Sequence, residues 1–249
     1  MIAAGIAVAG LITGCGSTSL TFRSDTNASQ VADAATVNCG GSVYDPSALA
    51  DAPPASSLPD GPAGAVDDVG AQAFDPSQDW KVVHHSDDRV DLVRELDEPF
   101  DTGEGDVRTH ESRTLERITA GINVPDGTWL LTSAAPCTQR LTTDDDLGEA
   151  DLTLADTPAP GDTSVDVLVH ERACASGRSA EGRIQLVELN ETAEQVQLRI
   201  GVRPPDGDHT CQGSPPTPFT VELNGPLGDR EIIDASVAPP RPVTVNGDQ

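Results

Sequence analysis

Residues 84 to 88, "HHSDD", and 144 to 151, "DDDLGEAD", gather most of what this chain could use to hold a metal ion or relay a proton. His84 and His85 lie with Asp87 and Asp88 at the tip of an expected hairpin. Successive strand side chains point to opposite faces, so only one imidazole could serve a given site and other ligands would have to come from His110 or His209. The bland reading, a solvated polar turn, is favoured. In the second stretch Asp144, Asp145, Asp146, Glu149 and Asp151 supply enough oxygen atoms for a hard cation such as Ca²⁺. The D-x-[DN]-x-[DN]-G spacing of a calcium loop is missing, and acidic runs are usually solvated. Asp144, Asp146, Glu149 and Asp151 are therefore weak metal candidates, and no cofactor is implied.

Templates for catalysis fail one by one. No GxSxG elbow, phosphate-binding P-loop or dinucleotide glycine pattern occurs, and His110-Glu111 and His170-Glu171 both lack the second histidine of HExxH. Carboxylates abound, but abundance does not identify a pair held at the separation that glycoside hydrolysis needs. His170 and Glu171, followed by Arg172 and Cys174, are expected at a strand end, where a structural corner is the simpler reading.

The amino terminus carries a different kind of chemistry. Residues 2 to 13, "IAAGIAVAGLIT", are uncharged and about the length of a signal-peptide h-region, too short for the ~20 residues of a membrane-spanning helix. The run ends in Ile12-Thr13-Gly14-Cys15, which resembles the bacterial lipobox, although the only positive charge before it is the α-amino group. The resemblance implies a signal peptide over 1–14, cleavage after Gly14 and diacylglycerol on Cys15. Two acyl chains would hold the protein stably on the outer face of the cell membrane. Residues 15–38, rich in Ser, Thr, Asp and Asn, then read as a flexible lipid-anchored tether that brings cell-wall polymers or other envelope proteins within reach.

With Cys15 assigned to lipid, Cys39, Cys137, Cys174 and Cys211 remain, an even number in an oxidising compartment, where disulfides are the default. Zinc is disfavoured because no CxxC spacing occurs. Four cysteines allow three connectivities. The segments "GRIQLVEL" (182–189) and "QVQLRIGVR" (195–203) read as a hairpin centred at Thr192. Cys174 lies 18 positions before that centre and Cys211 19 after it, so a roughly in-register hairpin brings both to its open mouth. That pairs Cys174 with Cys211 and leaves Cys39 with Cys137. The loops "CASGRSAEGR" and "CQGSPPTP" would then lie side by side, the first place to look for a binding rim.

Charge and composition bound the rest. There are 41 acidic residues against 15 basic, a net −26, and Lys81 is the only lysine. No basic footprint exists for nucleic acid or for a polybasic membrane contact. Aromatic residues make up only 3%, so a core must come from Val, Leu, Ile and Ala in thin β layers. Strand patterns appear at "WKVVHH", joined by a two-residue "SD" turn to "DRVDLVREL", then at "VRTHESRTLERIT", "GTWLLTS", "CTQRL", residues 151–155, "SVDVLVHER", the hairpin above, "PFTVEL" and "REIID". A short helix is expected near "DGPAGAVDDVGAQ", with Pro62 in its first turn.

The chain is thus expected to be mainly β, with one or two small antiparallel sandwich-like units and two disulfides. The first unit spans 39–143, opening on Pro-rich irregular coil, and the second spans 144–236. Residues 237–249 read as a mobile tail. The segments "VHERACASGRSAEGRI" and "GVRPPDGDHTCQGSPPTPFTVELNGPLGDREIIDAS" resemble the carboxy-terminal part of uncharacterised secreted proteins and lipoproteins of actinobacteria. That resemblance implies a cysteine-bearing envelope module and carries no activity. The expected function is a lipid-anchored, non-catalytic binding or interaction module of the cell envelope. The alternative is an extracytoplasmic hydrolase, metal-assisted in one version, using residues scattered along the chain.

Overall fold

A computed structural model describes residues 36–67, 79–119, 125–142 and 146–247. Residues 1–14, Cys15, the tether to residue 35, Asp144 and Asp145 lie outside the described residues. The protein is mainly β, and the described residues form one compact unit, without a division at residues 143 and 144.

The strands in chain order are β1 (Val37–Cys39), β2 (Ser42–Tyr44), β3 (Lys81–His85), β4 (Arg89–Asp101), β5 (Val107–Arg117), β6 (Trp129–Cys137) and β7 (Arg140–Leu141). They continue with β8 (Ala150–Leu154), β9 (Ser164–Glu171), β10 (Ile184–Glu191), β11 (Gln195–Val202), β12 (Thr217–Glu222), β13 (Glu231–Asp234) and β14 (Arg241–Pro242). They make four small sheets in the orders β2-β1-β7, β3-β4-β5-β6, β12-β9-β8 and β10-β11-β13-β14. Helix α1 (Asp60–Asp67) packs on β6.

The carboxy-terminal half follows directly from period-two alternation. Val196, Leu198, Ile200 and Val202 of β11 and Val165, Val167 and Val169 of β9 are all buried in one core shared by the last two sheets. The resulting layers are sandwich-like. In the first half, β4 uses both faces: Val90 and Leu92 join Trp80, Leu115 and α1 in one cluster, while Val93 joins Val37, Tyr44 and the Cys39–Cys137 pair in another. Arg94 and Arg113 lie 5.3 and 5.0 Å from the Trp80 ring centroid, so cation–π contact adds to the aliphatic packing around that ring.

Several expectations need correction. The tether does not reach residue 38: Val37 is fully buried, and Val37–Cys39 is a strand paired with both β2 and β7. The β1–β2 connection is Gly40-Gly41, both with positive φ (62° and 93°), the two-residue hairpin turn that "VNCGGSVY" already spells. The β3–β4 connection has three residues, Ser86 to Asp88, because Ser86 caps the turn by accepting from Arg89 N–H at 3.0 Å. Strand β13 pairs with β11 in parallel.

The expected mobile tail, 237–249, is docked over its described residues, 237–247. Val237 and Val243 are buried, β14 pairs with β13, and Val245 bridges to Leu154. Arg241 donates to the Val107 carbonyl at 2.8 Å and to the Gly105 carbonyl, which ties the chain's last described segment to its first half. Direct ion pairs, Arg140 with Asp151 and Arg172 with Asp106, join 39–143 to 144–236. Strand β8, expected at the start of the second unit, is buried along its whole length at the seam.

Both disulfides are present in the pairing that the hairpin argument favours, Cys39–Cys137 and Cys174–Cys211, with Cα separations of 5.3 and 4.3 Å. They fit an oxidising, extracytoplasmic setting. Among the described residues no helix is long and apolar enough to cross a membrane.

Candidate functional site

Two groups of charged side chains stand out, one buried at the seam and one open at the stapled loops. The buried group is built on the polar face of β8. Because Ala150, Leu152 and Leu154 turn inward to the apolar core, Asp151 and Thr153 must point to the opposite side. That side is covered too. Arg140 of β7 contacts Asp151 Oδ1 and donates to the Ala150 carbonyl at 3.0 Å. Arg172 reaches Asp151 Oδ2 at 2.8 Å and Asp106 Oδ2 at 3.2 Å, and Arg241 lies 3.7 Å from Asp151 Oδ1. Glu149 lies 3.6 Å from Arg140 and accepts from Asn38 Nδ2 at 3.0 Å.

Burial alone would raise the Asp106 carboxyl, but its hydrogen bond from Arg108 and the charge of Arg172 outweigh that and hold it below the ordinary range. Asp234, almost wholly buried nearby, goes the other way. Burial raises it despite Arg241 and Arg140, with its carboxylate accepting from Ser236 N–H at 2.8 Å. Of the four proposed cation ligands, Asp151 and Glu149 already face guanidiniums, and Asp144 lies outside the described residues. Asp146 is exposed, and no group of three or more His, Cys, Asp or Glu among the described residues could hold a metal ion.

The histidines do not converge either. His84 and His85 are exposed at the β3–β4 tip with Asp87 and Asp88. His110 is buried on β5 between Thr109 Oγ1 and Gln139 Nε2, each at 2.8 Å. An amide nitrogen can only donate, so the His110 Nε2 accepts and its proton sits on Nδ1, facing the Thr109 hydroxyl. Burial lowers its pKa, in keeping with a neutral ring.

His170 makes the arrangement closest to catalytic form. Its Nε2 is 3.1 Å from Thr153 Oγ1, and its Nδ1 is 3.5 Å from a carboxylate oxygen of Glu104. Hydroxyl, imidazole and carboxylate stand in relay order, and Glu104 has a positive φ of 57° within the Gly103-Glu104-Gly105 loop. Yet Thr153 is 0% exposed, and its hydroxyl faces the interior of the seam. A nucleophile must reach an acyl carbon, and the relay is also incomplete, because the His170 Nδ1 makes no hydrogen bond. Gly105 shows how close the packing is: a Cβ there would meet the Leu152 carbonyl oxygen at 2.5 Å.

The open group lies at the mouth of the β10–β11 hairpin. The Cys174–Cys211 bond holds its two arms together, reinforced by Ser176 N–H to the Thr210 carbonyl and Thr210 N–H to Ser176 Oγ, both at 3.0 Å. Ala180 N–H donates to the buried Thr217 hydroxyl at 2.9 Å, so "CASGRSAEGR" and "CQGSPPTP" do lie side by side. The cleft, however, opens on the other flank. It has a volume of about 700 Å³ and lies between Arg178, Ser179, Glu181 and Arg183 on one wall and Arg203 to Asp206 on the other.

Each wall is fixed from behind. Arg183 grips the buried carboxylate of Glu171 with both terminal nitrogens and also donates to the Arg203 carbonyl at 2.7 Å. Arg178 donates to the Ala175 carbonyl at 3.2 Å and to His209 Nδ1 at 2.9 Å, while His209 Nε2 is 3.1 Å from the Pro205 carbonyl. A guanidinium cannot accept, so the His209 Nδ1 accepts from Arg178 and its Nε2–H donates to Pro205. Sequence reasoning missed Arg203 and the Pro204-Pro205 wall. The signal available was their place directly after β11, at the same end as Cys174. Comparison of the chain with protein-family models, with curated proteins and with solved structures finds no match.

Proposed function

We propose that this protein is an extracytoplasmic binding module, held on the outer face of the cell membrane by lipid on Cys15, and that the stapled rim is the surface it presents. The observation that carries the reading is the contrast in access. The proton-active groups His110, His170, Thr153, Asp151 and Glu171 are buried or engaged by arginine, whereas the loops pinned by Cys174–Cys211 frame an open cleft on a rigid hairpin. A disulfide at the hairpin mouth lowers the ordering cost of those loops on binding, which suits recognition. The apolar run before Cys15 and the polar residues after it support the anchor and tether.

The test uses the full chain in a lipoprotein-processing bacterium. Metabolic labelling with an acyl-chain analogue is expected for the parent and lost in Cys15→Ala; equal labelling of both, or none, removes the anchor. A photo-crosslinker at Ser179 on the rim is expected to yield envelope adducts, while the same group at Glu98 on the exposed end of β4 does not. Equal yields at both positions, or none, would overturn the rim as the binding surface.

A further inference from the structure

The stapled rim carries an unusual electrostatic feature. Carboxylates outnumber basic groups 41 to 15, so every arginine has ample opportunity to find a partner. Nine of the thirteen described arginines do so within 4.0 Å: Arg89, Arg94, Arg108, Arg113, Arg140, Arg172, Arg183, Arg230 and Arg241. Four have no carboxylate among the described residues: Arg117, Arg178, Arg199 and Arg203. Arg117 and Arg199 sit apart and donate to the carbonyls of Gly127 and Thr142. Arg178 and Arg203 face one cleft.

Resting on the rim being the binding surface, we infer that Arg178 and Arg203 form a receptor for a single anionic oxygen group, a carboxylate or a phosphate monoester, on the ligand. Arg178 is preset for the task. Its Nε and one terminal nitrogen are held by the Ala175 carbonyl and the His209 ring, which fixes the plane of the guanidinium without a carboxylate to cancel its charge. Arg203 makes no side-chain hydrogen bond among the described residues, and its backbone is locked by N–H donation to the Arg183 carbonyl at 2.9 Å. A guanidinium's planar fork matches both anionic groups, which is why the shared chemistry is what the cleft specifies.

The walls also limit the ligand. Glu181 and Asp206 line the same cleft, and Glu171 already neutralises Arg183, so the cleft is amphoteric rather than uniformly basic. Together with the chain's net charge of −26, this disfavours polyanions and leaves room for one anionic group beside a cationic or hydroxyl-bearing part.

The experiment follows the side-chain Nε–Hε resonances of arginine in the disulfide-intact protein during titration with acetate, inorganic phosphate and a long-chain polyphosphate. Saturable shifts of Arg178 and Arg203 with acetate or phosphate are expected in the millimolar range, at about 1 to 10 mM, with polyphosphate no tighter per group. The tighter of the two small anions names the group. Arg203→Gln should weaken binding by about tenfold at the Arg178 resonance, and Arg117→Gln should leave it unchanged. No saturable shift with either anion, equal loss in Arg117→Gln, or tighter binding of polyphosphate would overturn the inference. Loss of anion binding with rim crosslinks at Ser179 retained would sink this inference alone. Anion binding without rim crosslinks would sink the functional reading instead.

Discussion

The seam and the stapled rim use the same residue, arginine, to opposite ends. At the seam Arg140, Arg172 and Arg241 surround Asp151, and removing these charges from water is tolerable only because each faces a carboxylate or a carbonyl. At the rim Arg178 and Arg203 remain near solvent, where hydration supports an unpaired guanidinium until a ligand replaces the water. Burial therefore converts arginine into a structural clamp, and exposure at a rigid loop leaves it available for recognition.

The sharpest way to break this contrast is to remove the seam's central carboxylate. Asp151→Ala leaves three guanidiniums around an empty site and is expected to cost about 3 to 5 kcal/mol, read as a lower urea midpoint. A loss under about 1 kcal/mol would mean that water already penetrates the seam. Next in size is the staple: Cys174→Ser with Cys211→Ser should cost about 2 to 4 kcal/mol and abolish the Ser179 crosslink, without separating β8 from Arg140. Retention of the crosslink would show that the hydrogen bonds from Ser176 and Thr210 hold the rim alone.

A smaller effect tests the β1–β2 turn. Gly40→Ala would place a Cβ 2.0 Å from Ser112 Oγ at a φ of +62°, and a destabilisation of about 1 to 3 kcal/mol is expected. The buried histidine gives a pH dependence. His110 is held neutral by burial, with its pKa below the ordinary value, so its contribution to stability is present above the histidine range and declines as pH falls through the depressed value. Thermal melts between neutral and mildly acidic pH should show this decline, and His110→Gln should flatten it. The smallest expected change in stability is at the rim, where Arg203→Gln should stay within about 0.5 kcal/mol while anion binding falls. A destabilisation as large as that of Asp151→Ala would erase the distinction between the two regions.

Much of the framework was legible because it is written locally. The alternation in "QVQLRIGV" and "SVDVLV" names the buried positions of β11 and β9, and the near-equal spacing of Cys174 and Cys211 about the hairpin turn predicts their bond. The Gly40-Gly41 turn is equally local, although the prolines that follow it give that stretch the composition of coil. Other features left no such trace. "APPRPVTV" has the composition of a tail, yet Arg241 within it reaches the carbonyls of Gly105 and Val107, more than 130 positions away. "DDDLGEAD" reads as a solvated acidic loop, yet Glu149 and Asp151 are drawn into the seam by arginines from three other strands or strand ends, Arg140, Arg172 and Arg241.

The amino-acid sequence by itself determined most of the strands and the β10–β11 hairpin, since strand period acts over a few residues, and the placing of Cys174 and Cys211 about that hairpin pointed to their bond, with Cys39–Cys137 left over. Only the tertiary structure decided that β8 would be buried on both faces, and hence which carboxylates are consumed by arginine and which arginines are left facing solvent. The reason is physical: the fate of a charge depends on how much water and which opposite charge surround it. Those surroundings are assembled only when segments far apart in the chain dock.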